Sequence, residues 1–225
     1  MSTYSNCNNS LSVGDIIKFG NYFINDDKNK EPIEWRVLEV SNNKALLVTK
    51  DAIDGKPYNT EWEDITWEQC SLRQWLNNEF INQAFSKKEQ EEILLTNLSN
   101  PDNFEYRTMG GNNTQDKIFL LSIDEVKKYF KDYKDRECKV THYAKQQGAW
   151  SCELEDEDDD DEYVGNCYWW LRSPGSYQNC VAVVFGDGII HYYGLSVNNI
   201  DNAVRPALFI NWDAQNSHTA SEQRE

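Results

Sequence analysis

The most regular hydrophobic pattern of the chain lies near its C-terminus. Two runs rich in β-branched and aromatic residues, 180–185 and 189–193, flank the turn sequence Gly186-Asp187-Gly188. Asp-Gly between two such runs is a strong signal for a β-hairpin. A polar loop follows, and the apolar run 204–210 predicts a final strand.

The predicted hairpin is apolar on both of its faces. Side chains alternate between the two faces of a strand, so Ala182, Val184, Ile190 and Tyr192 fall on one side. The other side carries Val181, Val183, Phe185, Ile189, His191 and Tyr193. One face must line a core, and the other is either covered by the rest of the protein or open as a binding surface. We predict that Ala182, Val184 and Ile190 are core and that the second set is exposed.

The N-terminal half mixes strand and helix patterns. Strands are predicted at 13–20 and in a hairpin formed by 33–40 and 44–49. Thr66 and Gln69 predict a capping box before a helix at 67–80, whose apolar residues recur at helical spacing. A further helix is predicted from the N-cap Ser86, with Glu89 at the box position, to about residue 95. Ser122 predicts the cap of another helix at 123–130, with Glu125 near its start, and residues 138–148 suit a short helix. The fold class is therefore α+β, with helices in the first half packed on an antiparallel sheet that the C-terminal hairpin completes.

Several motifs resemble those of a bacterial domain family, DUF6273. The C-terminal motifs are WWLRSPG, A-x-V-x-x-DG and NN-x-x-x-AVRPAL, and the upstream ones are VGDIIKFG, PIEWRVLEV, CSLRQWLNNEF and NNTQDKIFLLS. Together they span residues 13–210. The resemblance implies a single domain over 13–212. The polar composition of residues 1–12 and 213–225 predicts flexible tails.

The C-terminal region is also similar to C-type-lectin-like domains of the formylglycine-generating-enzyme type, a group that includes retroelement-diversified variable proteins. In those proteins, fixed scaffold residues alternate with variable residues that contact ligand. The resemblance implies a scaffold role for Ala182, Val184, Asp187, Gly188, Gly194, Val204, Arg205 and Pro206. The candidate ligand-binding residues are Ser176, Tyr177, Gln178, Asn179, Val181, Val183, Phe185, Ile189, His191, Tyr193, Leu195 and Ser196.

The charge balance narrows the range of partners. The formal net charge is −16, and nine acids lie between Glu153 and Glu162. Such a run is typical of a disordered, solvated insertion, and it lacks the spacing of a calcium loop. A negative balance disfavours nucleic acid and anionic membranes. The sequence shows neither a signal peptide nor a transmembrane segment, so the default location is cytoplasmic or virion-associated.

The chain shows no established catalytic or metal-binding motif. Its six cysteines contain no CxxC pair, which disfavours zinc, and we expect mostly reduced thiols with a Cys152–Cys167 bridge as the alternative. His142 follows Cys138 by four residues, a spacing more often structural than catalytic. Trp169 and Trp170 are predicted to be core rather than a sugar platform. We expect neither cofactor nor metal.

These features favour a non-enzymatic recognition module for a protein or other macromolecular ligand. The loop 176–179 and the outer hairpin face would supply rigid aromatic contacts and adaptable polar ones, a composition also found in antibody paratopes. The module could be the target of a diversity-generating retroelement. The alternatives are an enzyme of hydrolase type, with a cleft between helices and sheet, and a structural domain of a phage or cell-surface assembly.

Overall fold

The first of two five-stranded sheets is built mainly from the N-terminal half. The computed structural model describes residues 11–153 and 163–212. The strands of this sheet are β1 (Ile16–Phe23), β2 (Lys30–Ser41), β3 (Lys44–Thr49), β12 (Ala207–Asn211) and β7 (Ile118–Phe119), in the order β1-β2-β3-β12-β7. Every neighbouring pair is antiparallel. The predicted β2–β3 hairpin is confirmed: Asn42 and Asn43 both have positive φ, as a two-residue type I′ turn requires.

The second sheet holds the predicted C-terminal hairpin. Its strands are β10 (Ile190–Ser196), β9 (Cys180–Val184), β8 (Trp169–Pro174), β11 (Ala203–Val204) and β4 (Asp54–Gly55), in the order β10-β9-β8-β11-β4. β9 and β10 pair as the hairpin pattern predicted. The β8–β11 pair is parallel, so this sheet is mixed rather than wholly antiparallel. A short ribbon, β5 (Thr96–Leu98) with β6 (Thr114–Asp116), lies apart from both sheets.

The final strand predicted at 204–210 is broken into two. β11 belongs to the second sheet and β12 to the first, with Arg205 and Pro206 between them. Pro206 has no N–H to donate to a ladder, but its carbonyl accepts from the Thr49 N–H at 2.9 Å. The buried Arg205 guanidinium donates to the carbonyls of Thr49, Lys50 and Arg136. This junction therefore ties the two sheets together.

The longest helical run begins later than predicted. It consists of α1 (Ser71–Trp75), a π-helical turn (Leu76–Phe80) and α2 (Ile81–Ala84), with Cys70 as the N-cap. The predicted start at Trp67 with a Thr66 cap is wrong. The Thr66 carbonyl accepts from the N–H groups of Gln69 and Cys70, which closes a separate turn, and Cys70 is extended. Trp67 is buried, and its indole donates to Asp116 at 2.9 Å.

The remaining helices are short and have defined caps. They are α3 (Lys87–Glu92), α4 (Ile123–Tyr129), α5 (Tyr133–Arg136) and α6 (His142–Gln146). The N-caps Ser86 and Ser122 both form complete capping boxes, which confirms the predicted starts of α3 and α4. α6 lies within the stretch predicted to be a short helix. With these helices beside the two sheets, the α+β class is confirmed.

β8 carries the WWLRSP segment and is buried along its whole length. Trp169 and Trp170 are fully buried, as predicted. Arg172 is the charged residue of this strand, and its guanidinium forks onto the carboxylate of Glu125, with Nη2 2.9 Å from Oε1. Glu125 is also the capping-box residue of α4, so one ion pair joins β8 to a helix start.

Several expectations fall on parts of the chain outside the described residues. These parts are residues 1–10, 154–162 and 213–225, which include nearly all of the acidic run, most of the N-terminal tail and the whole C-terminal tail. The alternative Cys152–Cys167 bridge does not form, because the Cys167 thiol is free and donates to the Cys138 carbonyl at 3.3 Å. Cys138 is buried and precedes α6, whereas His142 is exposed.

Candidate functional site

The candidate site is built on the β9–β10 hairpin. Asp187 accepts from the N–H of Ile189 at 2.9 Å, and Gly188 adopts a φ of +76°. That conformation strains residues with a Cβ, so the glycine matches the turn. β10 also contains a bulge between His191 and Leu195, where Gly194 has a φ of +80°. Bulges re-aim side chains, and this one lies beside Tyr193.

The twelve predicted site residues fall into three groups by exposure. Tyr177, Ile189 and Tyr193 are exposed. Seven are half-buried: Ser176, Gln178, Asn179, Phe185, His191, Leu195 and Ser196. Val181 and Val183, however, are only 1% and 0% exposed, so the prediction that they face solvent is wrong. The core prediction for Ala182, Val184 and Ile190 is confirmed.

Val183 is buried because the supposedly open face is partly covered. It pairs with Trp170 of β8 and with His191 of β10, so these three side chains share one face. The Trp170 indole donates to the Lys56 carbonyl at 2.9 Å, and its ring packs 6.0 Å from the ring of Tyr58. The segment that contains Lys56 and Tyr58 thus covers the β8 side of the face, while the β10 side stays accessible.

Seven rings form a contiguous aromatic strip on and beside this accessible side. It comprises Trp150, Tyr168, Phe185, His191, Tyr193, Tyr177 and Tyr106. From Trp150 through Tyr168 and Phe185 to His191, successive ring centroids lie 4.6, 4.6 and 4.5 Å apart. Tyr193 continues the strip at 6.2 Å from His191.

The ends of the aromatic strip are its most exposed parts. Trp150 is 42% exposed at one end, and at the other Tyr193, Tyr106 and Tyr177 are 48, 43 and 62% exposed. Tyr177 and Tyr106 both meet the ring of Tyr193 nearly edge-on, at 6.2 and 5.9 Å. Such arrangements suit the quadrupoles of aromatic rings, so the rings hold one another in place.

Three members of the strip were missed by sequence reasoning. Trp150, Tyr168 and Tyr106 come from outside the hairpin, and Tyr106 lies in a long polar excursion between β5 and β6. The available signal was the presence of aromatic residues in polar segments, because large apolar side chains that are exposed there mark an interaction surface. Only the tertiary structure shows that they join the hairpin rings.

The loop that carries Tyr177 is anchored on both sides. The Gln178 side-chain amide donates to the carbonyls of Ile65 and Met109, each at 3.1 Å. The Thr108 hydroxyl donates to the Ser176 carbonyl at 3.0 Å. Gln178 is therefore engaged in holding the loop, and the adjacent Tyr177 ring is presented on a fixed backbone.

Two polar atoms beside the strip lack a hydrogen-bond partner among the described residues. They are Nδ1 of His191 and Oγ of Ser176, both shielded from solvent. Buried polar atoms are normally paired, so these two are unusual. Each could bond to a ligand group that enters between the neighbouring side chains.

The hairpin faces give a direct stability test. We expect Ile190→Ala to lower the free energy of unfolding by about 2–5 kcal/mol, because Ile190 is buried and truncation leaves a cavity. The adjacent Ile189 is exposed, so Ile189→Ala should change it by about 0.5 kcal/mol or less. Urea unfolding of both variants measures the difference. Equal costs would show that the two faces are packed alike.

Within residues 11–153 and 163–212, no three His, Cys, Asp or Glu side chains are grouped so that they could hold one metal ion. Among the same residues, no helix is long and apolar enough to cross a membrane.

Comparison with known proteins places the chain in a family. No curated protein and no solved structure shows significant similarity to it. One family model, described as a domain of unknown function (DUF6273), matches residues 42–212. The match covers the site, the whole second sheet and three strands of the first, while β1 and β2 precede it. The chain therefore belongs to the DUF6273 family.

Proposed function

We propose that this protein is a non-enzymatic recognition module that binds a macromolecular ligand through the aromatic strip. The observation that carries the proposal is the contiguity of the seven rings, with exposed members at both ends. Aromatic side chains supply large contact areas at low entropic cost, and they dominate the energetics of many interfaces. The ligand contacts are the exposed strip members Tyr177, Tyr193, Tyr106 and Trp150 together with Ile189 of the hairpin, and Phe185, His191, Leu195 and Ser196 lie at their rim.

The support beneath the rings suits this role. β8 and β9 are almost wholly buried, and the loop of Tyr177 is fixed by Gln178. Binding then orders few additional groups, which lowers its entropic cost. Val181 and Val183 belong to this support rather than to the contact surface.

The proposal includes a C-type-lectin-like scaffold and a retroelement-diversified hairpin. It is supported by the division of the hairpin into buried Ala182 and Val184 and accessible Ile189 and Tyr193. The genomic neighbourhood tests this part. A reverse-transcriptase gene beside a near-copy of the segment for 168–210 is the expected finding, and neighbours without either would count against diversification.

The charge of the chain favours a cationic or neutral partner. The formal net charge is −16, and the strip contains neither Lys nor Arg. Ring faces attract ammonium and guanidinium groups, with about 0.5–2 kcal/mol per contact. A basic peptide or protein segment therefore suits the strip better than an acidic one.

Array screening tests the proposal. Full-length protein is applied to peptide arrays of graded charge and to glycan arrays, alongside Tyr177→Ser/Tyr193→Ser. We expect wild-type binding to peptides that carry basic residues, and loss of that binding in the double variant. Hits that the double variant retains would exclude the strip as the binding surface.

A further inference from the structure

A second feature has no residue in common with the aromatic strip. An open cleft of about 290 Å³ is bordered by β2, by the residues that follow β3, and by α5 with the segment after it. Its cationic lining residues are Arg36, Lys50, Lys134, Lys139 and Arg205. Its acidic ones are Asp51, Asp135 and Glu137. The cleft therefore carries a formal excess of two positive charges in a chain of net charge −16.

Part of this charge is already neutralised. Arg36 pairs with Asp135 at 2.6 Å, and Lys50 pairs with Glu34 at 2.8 Å. Lys139 is exposed and has no ion-pair partner in the described part of the chain. Burial raises the pKa of Asp51, although the neighbouring cations Lys50, Arg205 and Lys139 oppose that effect.

Arg205 is the unusual member of the lining. It is 2% exposed, yet its hydrogen-bond partners are backbone carbonyls at 3.1–3.3 Å rather than carboxylates. The rings of Trp169 and Phe130 lie 4.8 and 5.4 Å from its guanidinium carbon. A guanidinium has five N–H donors, and the three carbonyls use one each on Nε, Nη1 and Nη2. One N–H on each Nη remains for a further acceptor.

We propose that this cleft binds a phosphate group, either as inorganic phosphate or as a small phosphate monoester, with Lys139 and Arg205 as its principal contacts. Two N–H groups on one planar guanidinium match two oxygens of a tetrahedral oxyanion, and the lysine adds a point charge. The volume lies near the lower end of small-molecule pockets, about 300 Å³, which leaves room for a phosphate and a few further atoms. The site is independent of the proposed recognition function.

Calorimetric titration of the full chain with sodium phosphate and with glycerol 3-phosphate, at constant ionic strength, tests this inference. We expect one saturable site, and the tighter of the two probes identifies the source of the phosphate group. Lys139→Ala should weaken phosphate binding by about tenfold or more, because it removes one charge-assisted hydrogen bond. Lys88→Ala, which removes another exposed charge, on α3, should leave the Kd unchanged.

Two results would overturn the proposal. One is the absence of saturable heat for either probe up to about 10 mM, a range in which a functional site should fill. The other is equal weakening by Lys139→Ala and Lys88→Ala, which would indicate diffuse attraction. Arg205→Lys gives a second readout in protein that remains folded by circular dichroism. It keeps the charge but removes the fork, so undiminished phosphate binding by this variant would exclude Arg205 as a contact.

Discussion

Arg172→Ala is expected to lower the free energy of unfolding by about 3–5 kcal/mol, because it empties a buried site and leaves several acceptors without their donor. Arg172 is almost fully buried and forks onto Glu125. It also donates to the Leu120 and Ser99 carbonyls and to the Asn100 side chain. The substitution would leave these acceptors unpaired. Urea unfolding followed by circular dichroism measures the effect.

Two further variants sharpen this test. Glu125→Gln keeps a hydrogen-bonding group at the α4 cap but removes the charge, so we expect a smaller cost of about 1–3 kcal/mol. Lys88→Ala removes an exposed charge and should change stability by about 0.5 kcal/mol or less. A cost for Arg172→Ala that matches Lys88→Ala would mean that the WWLRSP arginine does not hold β8 to α4.

Gly188→Ala should lower the free energy of unfolding by at least about 3 kcal/mol, because backbone strain and overpacking act together. The φ of +76° disfavours any residue with a Cβ. In addition, a Cβ at this position would overlap the backbone carbonyl of Tyr133 in α5. Either the hairpin turn or the α5 backbone must then move. Thermal and urea unfolding report the loss.

Gly14→Ala is the matched control for this variant. Gly14 has a φ of +94°, but a Cβ there would meet no atom within 4 Å. Gly14→Ala should therefore lower the free energy of unfolding only by the conformational cost, about 1–2 kcal/mol. The difference between the two variants isolates the contact between Gly188 and Tyr133. Equal costs would show that the turn is not packed against α5.

Local sequence patterns predicted the elements that depend on interactions between residues close to one another in the sequence. The capping boxes at Ser86 and Ser122 depend on spacing within four residues, and both are formed. The hairpin at Asp187-Gly188 depends on the conformational freedom of one glycine, and it too is formed. Thr66 has the same spacing signal as the two serines, yet no helix begins there. Burial of Trp67 against Asp116 and the extended Cys70 override that local signal.

The candidate site was only partly predictable, because the tertiary structure decides whether a face of a strand is covered by the rest of the protein. Alternation correctly assigned Val183 and Ile189 to one side of the hairpin, but it could not indicate that Val183 is buried beside Trp170, whose ring packs against Tyr58. For the same reason, the sequence did not show that Trp150 joins the hairpin rings. The sequence shows a proline at position 206, but it does not indicate that the chain passes there from the second sheet to the first.

The exposed rings of the aromatic strip are the proposed ligand contacts. Their contribution is measured by calorimetry, as the Kd of wild type and of Tyr177→Ser/Tyr193→Ser for the peptide or glycan that the arrays identify. The control is Tyr133→Ser, which removes an exposed ring of α5 outside the strip. We predict that the double variant binds at least about thirtyfold more weakly, as loss of a hot spot would, with an unchanged melting temperature. The control should bind like wild type. Equal affinity of the double variant and wild type would contradict the account.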